Sequence, residues 1–210
     1  MLKDNLAKLR IPSNVKLIAV TKTRTVEEIK KAIGSGITCI GENRVQEAEE
    51  KFPLLPKVEK HMIGSLQTNK VKLAVELFDV IQSVDSLNLA KEINKRCEAI
   101  NKVMPVLVEV NIGDEANKHG IKLEDVKNFV KEISQLNNID VQGLMCVAPL
   151  VSPEEARPYF KKMKQAFDSI NSLKWLSMGM SNDYKTAIEE GSNMVRIGTA
   201  IFGERSSKGF

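Results

Sequence analysis

The sequence has few of the features that mark nucleic-acid-binding or membrane proteins. Aromatic residues make up only 5% of its 210 residues, and a net charge of +4 is spread along the chain instead of being concentrated in basic blocks. A nucleic-acid surface usually combines a clustered basic face with aromatic platforms, so this class is disfavoured. No apolar run approaches the roughly 18 residues of a membrane-spanning helix, and the N-terminal segment lacks the unbroken apolar stretch of a signal peptide. We therefore expect neither a nucleic-acid nor a membrane partner.

Cysteine is also scarce. Cys39, Cys97 and Cys146 are odd in number, have no CxxC spacing and stand among apolar neighbours. A disulfide framework or a metal site would need paired or closely spaced ligands. The pattern predicts three buried, reduced thiols, no metal site and a cytoplasmic protein.

The sequence does contain an alternating pattern of short apolar runs and helical segments. Hydrophobic residues make up 42% and charged residues 28%, as in ordinary soluble globular proteins. Eight of the runs are rich in β-branched residues, and several are apolar at consecutive positions, which is typical of parallel strands covered on both faces. These candidate strands span residues 16–22, 38–42, 60–64, 78–84, 103–111, 140–148, 174–178 and 193–198.

Segments with helical periodicity separate these runs. Thr25 with Glu28, and Ser152 with Glu155, form the pattern of a capping box, and an apolar stripe follows each pair. The alternation continues without a linker or a change in composition, which predicts an α/β fold with one domain over residues 1–210, a single-domain (β/α)8 TIM barrel. The chain is short for such a barrel, so we expect brief loops and no second domain.

In a barrel of this kind the active site lies at the C-terminal ends of the strands. Lys22 closes an apolar run, a setting in which an amine loses its proton and attacks a carbonyl, although an ordinary solvated strand end would look the same. Ser181 begins a helix after the seventh run, and Gly198 and Thr199 follow the eighth. Their amides and hydroxyls favour an anion site such as one for phosphate over plain turns and caps.

Two further strand residues leave more than one interpretation open. Arg196 lies between Val195 and Ile197, so its guanidinium needs a partner, which is either a ligand or a core carboxylate such as Glu109. His61 lies in the third run, close to Gly64, and is either a catalytic acid or base or a hydrogen-bonded packing residue.

Polar residues in the loops are equally ambiguous. Asn43 and Asn111 either hydrogen-bond the ring of a ligand or cap their own loops. Lys118 and His119 lie in a segment that is either a solvated connection or a mobile loop over the barrel mouth. The residue types alone do not decide between these roles.

Taken in order, several motifs resemble one protein family across nearly the whole chain. They are IAVTK (18–22), IGENRVQE (40–47), HMIGSLQTNK (61–70), VNIGDEANKHGI (110–121), GLM (143–145), LSMGMS (176–181) and VRIGTAIFG (195–203). In these motifs the chain resembles the pyridoxal 5'-phosphate (PLP) homeostasis proteins, the YggS/PROSC group, which are related to the barrel domain of alanine racemase. The resemblance implies an alanine racemase N-terminal-domain-like barrel with PLP as its cofactor.

The resemblance also implies a role for each matching residue. Lys22 would form a Schiff base with PLP, while Ser181, Gly198 and Thr199 would hold its phosphate. Arg196 would face the pyridine nitrogen. The residues implied to lie near the ring are Asn43 and Met178.

The function implied is intracellular vitamin B6 homeostasis by a PLP carrier with little catalysis. An arginine at the pyridine nitrogen can only donate a hydrogen bond, which weakens the ring as an electron sink. The related racemases use a tyrosine of a second domain as another base, and neither Tyr159 nor Tyr184 lies at a predicted strand end. The alternatives are a PLP-dependent amino-acid racemase and a PLP-independent barrel enzyme for a phosphorylated metabolite. We expect a monomer that makes transient contacts with PLP-accepting enzymes.

Overall fold

The computed structural model describes residues 2–115 and 119–204, and within them parallel strands alternate with helices. The strands are β1 Lys16–Val20, β2 Cys39–Glu42, β3 Glu59–Met62, β4 Val80–Val84, β5 Met104–Asn111, β6 Ile121–Lys122, β7 Ile139–Cys146, β8 Trp175–Ser177 and β9 Met194–Ile197. The helices are α1 Leu2–Leu9, α2 Val26–Ile33, α3 Val45–Lys51, α4 Val71–Leu77, α5 Leu87–Glu98, α6 Val126–Ile133, α7 Pro153–Asp168, α8 Tyr184–Glu189 and α9 Thr199–Phe202. Short 3-10 turns lie at Phe52–Leu54, Thr68–Lys70 and Leu123–Asp125.

The strands close into a barrel. Their order is β4-β3-β2-β1-β9-β8-β7-β5-β6, and a pairing between β4 and β5 completes a ring of eight, with β6 attached to β5. The predicted (β/α)8 TIM barrel is therefore confirmed, and each of the eight predicted strands is present. The additional β6 has only two residues, which is too short to produce a hydrophobic period in the sequence.

Two helix starts follow directly from local sequence. The Thr25 hydroxyl accepts a hydrogen bond from the Glu28 amide at 3.2 Å, and the Glu28 carboxylate accepts one from the Thr25 amide at 2.8 Å. Ser152 and Glu155 form the same reciprocal pair at the start of α7, and Pro153 occupies its first turn. Both predicted capping boxes thus satisfy amides that a helix start would otherwise leave unpaired.

The core has two layers because alternate strand residues face opposite sides of the barrel wall. A large apolar cluster lies between the strands and the surrounding helices. A smaller cluster takes one residue from each of six strands and packs against Trp175 inside the barrel; its members are Ile18, Cys39, Val80, Leu107, Met145 and Met194. The barrel interior is therefore a packed core, and ligands are restricted to its mouth.

The scarcity of cysteine has the predicted structural outcome. Cys39, Cys97 and Cys146 are all buried and unpaired.

None of the helices in the described ranges is long and apolar enough to span a membrane.

Candidate functional site

A cavity of about 380 Å³ opens at the C-terminal ends of the strands. Its walls come from the end of β1, the segment 147–151 after β7, the turn 180–183 after β8, and the end of β9. This cavity brings together five of the seven residues assigned to a cofactor from the sequence: Lys22, Ser181, Arg196, Gly198 and Thr199. An amine, a guanidinium and a turn rich in amides and hydroxyls therefore face one space.

The other two assigned residues are not among the described residues that line this cavity. Met178 is fully buried in the large apolar cluster, and the methionine at the cavity wall is Met180. Asn43 directly follows β2, where its Oδ1 is buried and has no hydrogen-bond partner within the described residues. Close packing holds this position, because a Cβ added to Gly64 would lie 2.4 Å from the Asn43 carbonyl oxygen. The roles assigned to Asn43 and Met178 stay predictions.

Lys22 is held at the cavity by the residue before it. Thr21 is fully buried, and its hydroxyl donates to the Glu42 carboxylate at 2.7 Å. Lys51 of α3 donates to the Thr21 carbonyl at 3.1 Å and to Glu42 Oε1 at 3.2 Å. Burial raises the pKa of Glu42, while the bonds from Thr21 and Lys51 oppose that rise. These contacts fix the end of β1, so the half-buried Lys22 side chain starts from a rigid backbone.

The turn after β8 meets the turn after β9 at the cavity wall. The Ser181 hydroxyl accepts hydrogen bonds from the amides of Gly198 at 3.3 Å and Ala200 at 3.4 Å. Asp183 braces the first turn, because its carboxylate accepts from the Met180 amide at 2.6 Å. Converging amides and a hydroxyl of this kind match the oxygens of a phosphate.

Arg196 is buried, and three hydrogen bonds hold its guanidinium. Nη1 donates to the Ser177 carbonyl at 2.9 Å and to the Ser177 hydroxyl at 2.6 Å, while Nη2 donates to the Cys146 carbonyl at 2.7 Å. The core partner suggested from the sequence, Glu109, is wrong as a direct ion pair, since two carbonyls and a hydroxyl take that place. Burial lowers the pKa of Arg196, and the nearby Cys146 and Glu109 oppose that shift.

Glu109 is nevertheless electrostatically unusual. Its Oε2 is buried without a hydrogen-bond partner in the described part of the chain. Burial raises its pKa to about 6, and the neighbouring Asp85 carboxylate adds to the rise. The folded pKa lies above the ordinary value of 4.5. The stability that Glu109 contributes is therefore fully present below about pH 4.5 and is lost as the pH rises through about 6.

Replacing Glu109 by glutamine is therefore expected to stabilise the protein above pH 7. The shift from 4.5 to about 6 corresponds to at most about 2 kcal/mol in the free energy of unfolding. Urea unfolding between pH 4 and 8 measures this, with Glu124→Gln at an exposed side chain as the control. A gain at pH 8 that persists undiminished at pH 4 would contradict the assignment.

His61 is a hydrogen-bonded residue of the buried interior and Asn111 caps its own loop, which in each case is one of the two roles left open by the sequence. The His61 ring is buried, with Nε2 2.9 Å from Glu59 Oε1 and Nδ1 2.7 Å from Gln82 Nε2. Burial lowers the pKa of His61, and the hydrogen bond from His61 lowers the pKa of Glu59 to about 2. Asn111 caps its own loop through the backbone of Glu115, at 2.9 and 3.2 Å.

The loop after β5 is described only in part. His119 is 63% exposed and lies 3.3 Å from the Asp85 carboxylate, near the end of β4. Lys118 lies outside the described residues. The exposure of His119 fits a loop at the surface of the barrel mouth.

The sequence did not identify one wall of the cavity. Segment 147–151 lines it, and Leu150 in that segment is 94% exposed. These residues follow the C-terminal end of β7, so the strand-end rule used for the other site residues would have found them. Met180 was not assigned either, because the turn that contains it was interpreted only as an anion site.

Three potential metal ligands lie below the site. Ligand atoms of Cys39, Glu59 and His61 are within 4.8 Å of one another. The Lys16 ammonium is 2.6 Å from Glu59 and already neutralises that carboxylate. Burial raises the pKa of the Cys39 thiol, which disfavours the thiolate that a metal needs. These contacts do not favour a metal ion at this position, and we assign none to it.

Comparison with known proteins places this geometry in a family. The family model for the alanine racemase N-terminal domain matches residues 1–206. A pyridoxal phosphate homeostasis protein of Aquifex aeolicus is 44% identical over 198 residues, which cover 90% of this chain and 87% of the relative. The protein of the same name from Escherichia coli K12 is 37% identical over 207 residues, with 93% and 88% covered.

Comparison with solved structures points to the same group of relatives. The PLP-bound structure of PipY from Synechococcus elongatus superimposes with a TM-score of 0.88 at 33% identity, covering 97% of this chain and all of that chain. An alanine racemase of Clostridium difficile matches with a TM-score of 0.79, covering 99% of this chain and 57% of that chain, and because the identity is only 18% this likeness shows the fold alone. This chain therefore belongs to the alanine racemase N-terminal domain family, in the group of the pyridoxal phosphate homeostasis proteins.

Proposed function

We propose that this protein binds PLP and serves PLP homeostasis as a carrier, with one PLP-binding barrel domain over residues 1–210. The observation that carries the proposal is the single cavity shared by a lysine, a buried arginine and the Ser181 turn. Its volume of about 380 Å³ lies in the range of roughly 300–1,000 Å³ that small-molecule sites occupy. The curated relatives with the homeostasis name, and the PLP-bound PipY, support the same conclusion.

The donors present in the cavity fit the polar groups of PLP. When bound, PLP supplies an aldehyde that condenses with a primary amine. Lys22 is the amine at the cavity, and it is our Schiff-base lysine. Ser181, Gly198 and Thr199 line the same cavity and are assigned to the phosphate. The Asn43 Oδ1, buried without a hydrogen-bond partner among the described residues, is available to accept a hydrogen bond from a ring substituent, and we also assign Met178 to the surroundings of the ring.

The arginine explains why we propose a carrier and not an enzyme. The Arg196 guanidinium has donors and no acceptor, so it cannot hold a proton on a pyridine nitrogen. A PLP enzyme that stores negative charge in the ring benefits from that proton. The relatives from Aquifex aeolicus and Escherichia coli, at 44% and 37% identity, are named homeostasis proteins, and the racemase resemblance extends to the fold alone. We place the protein in the cytoplasm as a monomer that passes PLP to accepting enzymes by transient contact.

Borohydride reduction followed by peptide mass mapping tests the proposal. Incubation with PLP and reduction should fix one phosphopyridoxyl group on the peptide that contains Lys22. Absence of any adduct would refute the PLP function and favour a barrel enzyme for a phosphorylated metabolite. Turnover of L-amino acids to D-isomers by the loaded protein would instead favour the racemase alternative.

A further inference from the structure

A line of hydrogen bonds crosses the barrel interior from the proposed PLP site to the opposite end of the barrel. It starts at Arg196, whose Nη1 donates to the Ser177 hydroxyl at 2.6 Å. That hydroxyl donates to Gln82 Oε1 at 2.7 Å. Gln82 Nε2 lies 2.7 Å from His61 Nδ1, and His61 Nε2 lies 2.9 Å from Glu59 Oε1. Four strands, β9, β8, β4 and β3, therefore contribute to one continuous path.

The direction of this path is fixed at both ends. An arginine has only donors, and a carboxylate has only acceptors. The Ser177 hydroxyl must therefore accept a hydrogen bond from Arg196 and donate one to Gln82 Oε1. The Gln82 amide then donates to His61 Nδ1, which leaves the His61 proton on Nε2, where it points at Glu59. The Gln82 amide nitrogen also lies 3.3 Å from Met194 Sδ, a weak acceptor that suits the same amide orientation.

The path continues to the start of β1. Lys16 Nζ lies 2.7 Å from Glu59 Oε1 and 2.6 Å from Glu59 Oε2, so the carboxylate stays charged and keeps accepting. Burial of the imidazole opposes its protonation. A second proton on His61 would lie on Nδ1, where it would face the Gln82 amide hydrogens. The Gln82 amide would then have to turn over, which would reverse the direction of its hydrogen bonds to His61 and to Ser177.

Fold stability alone does not require this path. Gln82, Ser177 and His61 are fully buried in a barrel whose neighbouring interior layer is apolar. Buried polar networks are costly unless every member is satisfied, and well-packed apolar residues are often at least as stable. The polar layer coincides with Arg196, the buried charge that lines the cavity.

We propose that Gln82 and His61 are positioning residues of the PLP site, which fix the Arg196 guanidinium through the Ser177 hydroxyl. The inference rests on the proposed PLP function, because Arg196 needs a set orientation only if it faces a ligand. The Ser177 hydroxyl is one of the three acceptors that hold the guanidinium, and Gln82 orients that hydroxyl, so a change at Gln82 weakens one of the three bonds and loosens the guanidinium at the cavity.

The path itself is tested in protein without PLP by nitrogen-15 NMR of labelled histidine. The chain has two histidines, and His119→Gln assigns their ring signals. We expect a neutral His61 with its proton on Nε2, and a shift of its ring nitrogens in Gln82→Met. A wild-type His61 with its proton on Nδ1 would overturn the proposal.

The positioning role is tested in protein loaded with PLP. Gln82→Met and Ser177→Ala interrupt the path at different points, so each remains informative if the other fails to fold. The matched control is Ser83→Ala, because Ser83 is the buried neighbour of Gln82 on β4 and its hydroxyl has no hydrogen-bond partner in the described residues. We expect the two interrupting variants to release PLP roughly three- to tenfold faster and to shift its absorbance maximum, while the control matches wild type.

The outcomes separate the two proposals. Wild type that takes up no PLP would refute the proposed function, while the His61 spectra would still report the hydrogen-bond path. Variants with altered His61 spectra but wild-type release and wild-type absorbance would show that the path only supports the fold, and would overturn the positioning role.

Discussion

Lys22→Ala is expected to lose the reducible PLP adduct and the yellow absorbance of the Schiff base while keeping its fold. Among the described residues Lys22 is the lysine that lines the cavity, and its backbone is set by the buried Thr21 and by Lys51. Removing a half-buried side chain leaves these anchors in place, so the free energy of unfolding should change by only about 0.5 kcal/mol. Absorbance of the loaded protein, borohydride trapping and urea unfolding measure the three quantities.

Two further variants serve as controls, one for the positive charge of Lys22 and one for the loss of a lysine elsewhere. Lys22→Arg keeps the positive charge but offers no nucleophilic amine, because arginine stays protonated, and it should fail like the alanine variant. Lys30→Ala changes an exposed lysine of α2 and should behave as wild type. If Lys22→Ala retained the same absorbance band, another lysine would carry the aldehyde and the assignment would be wrong.

Much of the fold could be predicted because parallel barrel strands are covered on both faces. That environment selects consecutive apolar residues, as in the run that became β5, and such runs can be recognised without a structure. Capping boxes are equally local, since Thr25 and Glu28 are three residues apart. The two-residue β6 leaves no periodic signal and was missed.

The candidate site shows where prediction from sequence stops. Lys22, Ser181 and Gly198 could be assigned because each lies within four residues after the end of a strand, and strand ends meet at one mouth of the barrel. Two of the three partners of Arg196 could not be predicted, because they are backbone carbonyls, which carry no residue identity. The path through Ser177 and Gln82 was also hidden, since these residues are 95 positions apart and sequence does not give the register of distant strands.

Gly143→Ala is expected to destabilise the barrel severely. Gly143 of β7 pairs with Trp175 of β8, and a Cβ added to it would lie 1.9 Å from the Trp175 carbonyl oxygen. That contact is with backbone, so the strands must separate locally or lose part of their pairing. We expect a loss of about 3 kcal/mol or more in the free energy of unfolding, which for a chain of this size lowers Tm by at least about 6 °C.

The matched control is Gly34→Ala at the end of α2. Gly34 has a helical φ of −64°, and the nearest atom to an added Cβ is 3.4 Å away. Alanine there restricts the unfolded chain without a clash, so stability should rise by about 0.4–1 kcal/mol. Urea unfolding followed by circular dichroism compares the two variants. A Gly143→Ala protein within about 1 kcal/mol of wild type would mean that β7 and β8 yield more readily than their close contact indicates. Because β8 leads directly into the Ser181 turn, a displaced β8 should also weaken PLP retention, which links this part of the barrel wall to the proposed phosphate site.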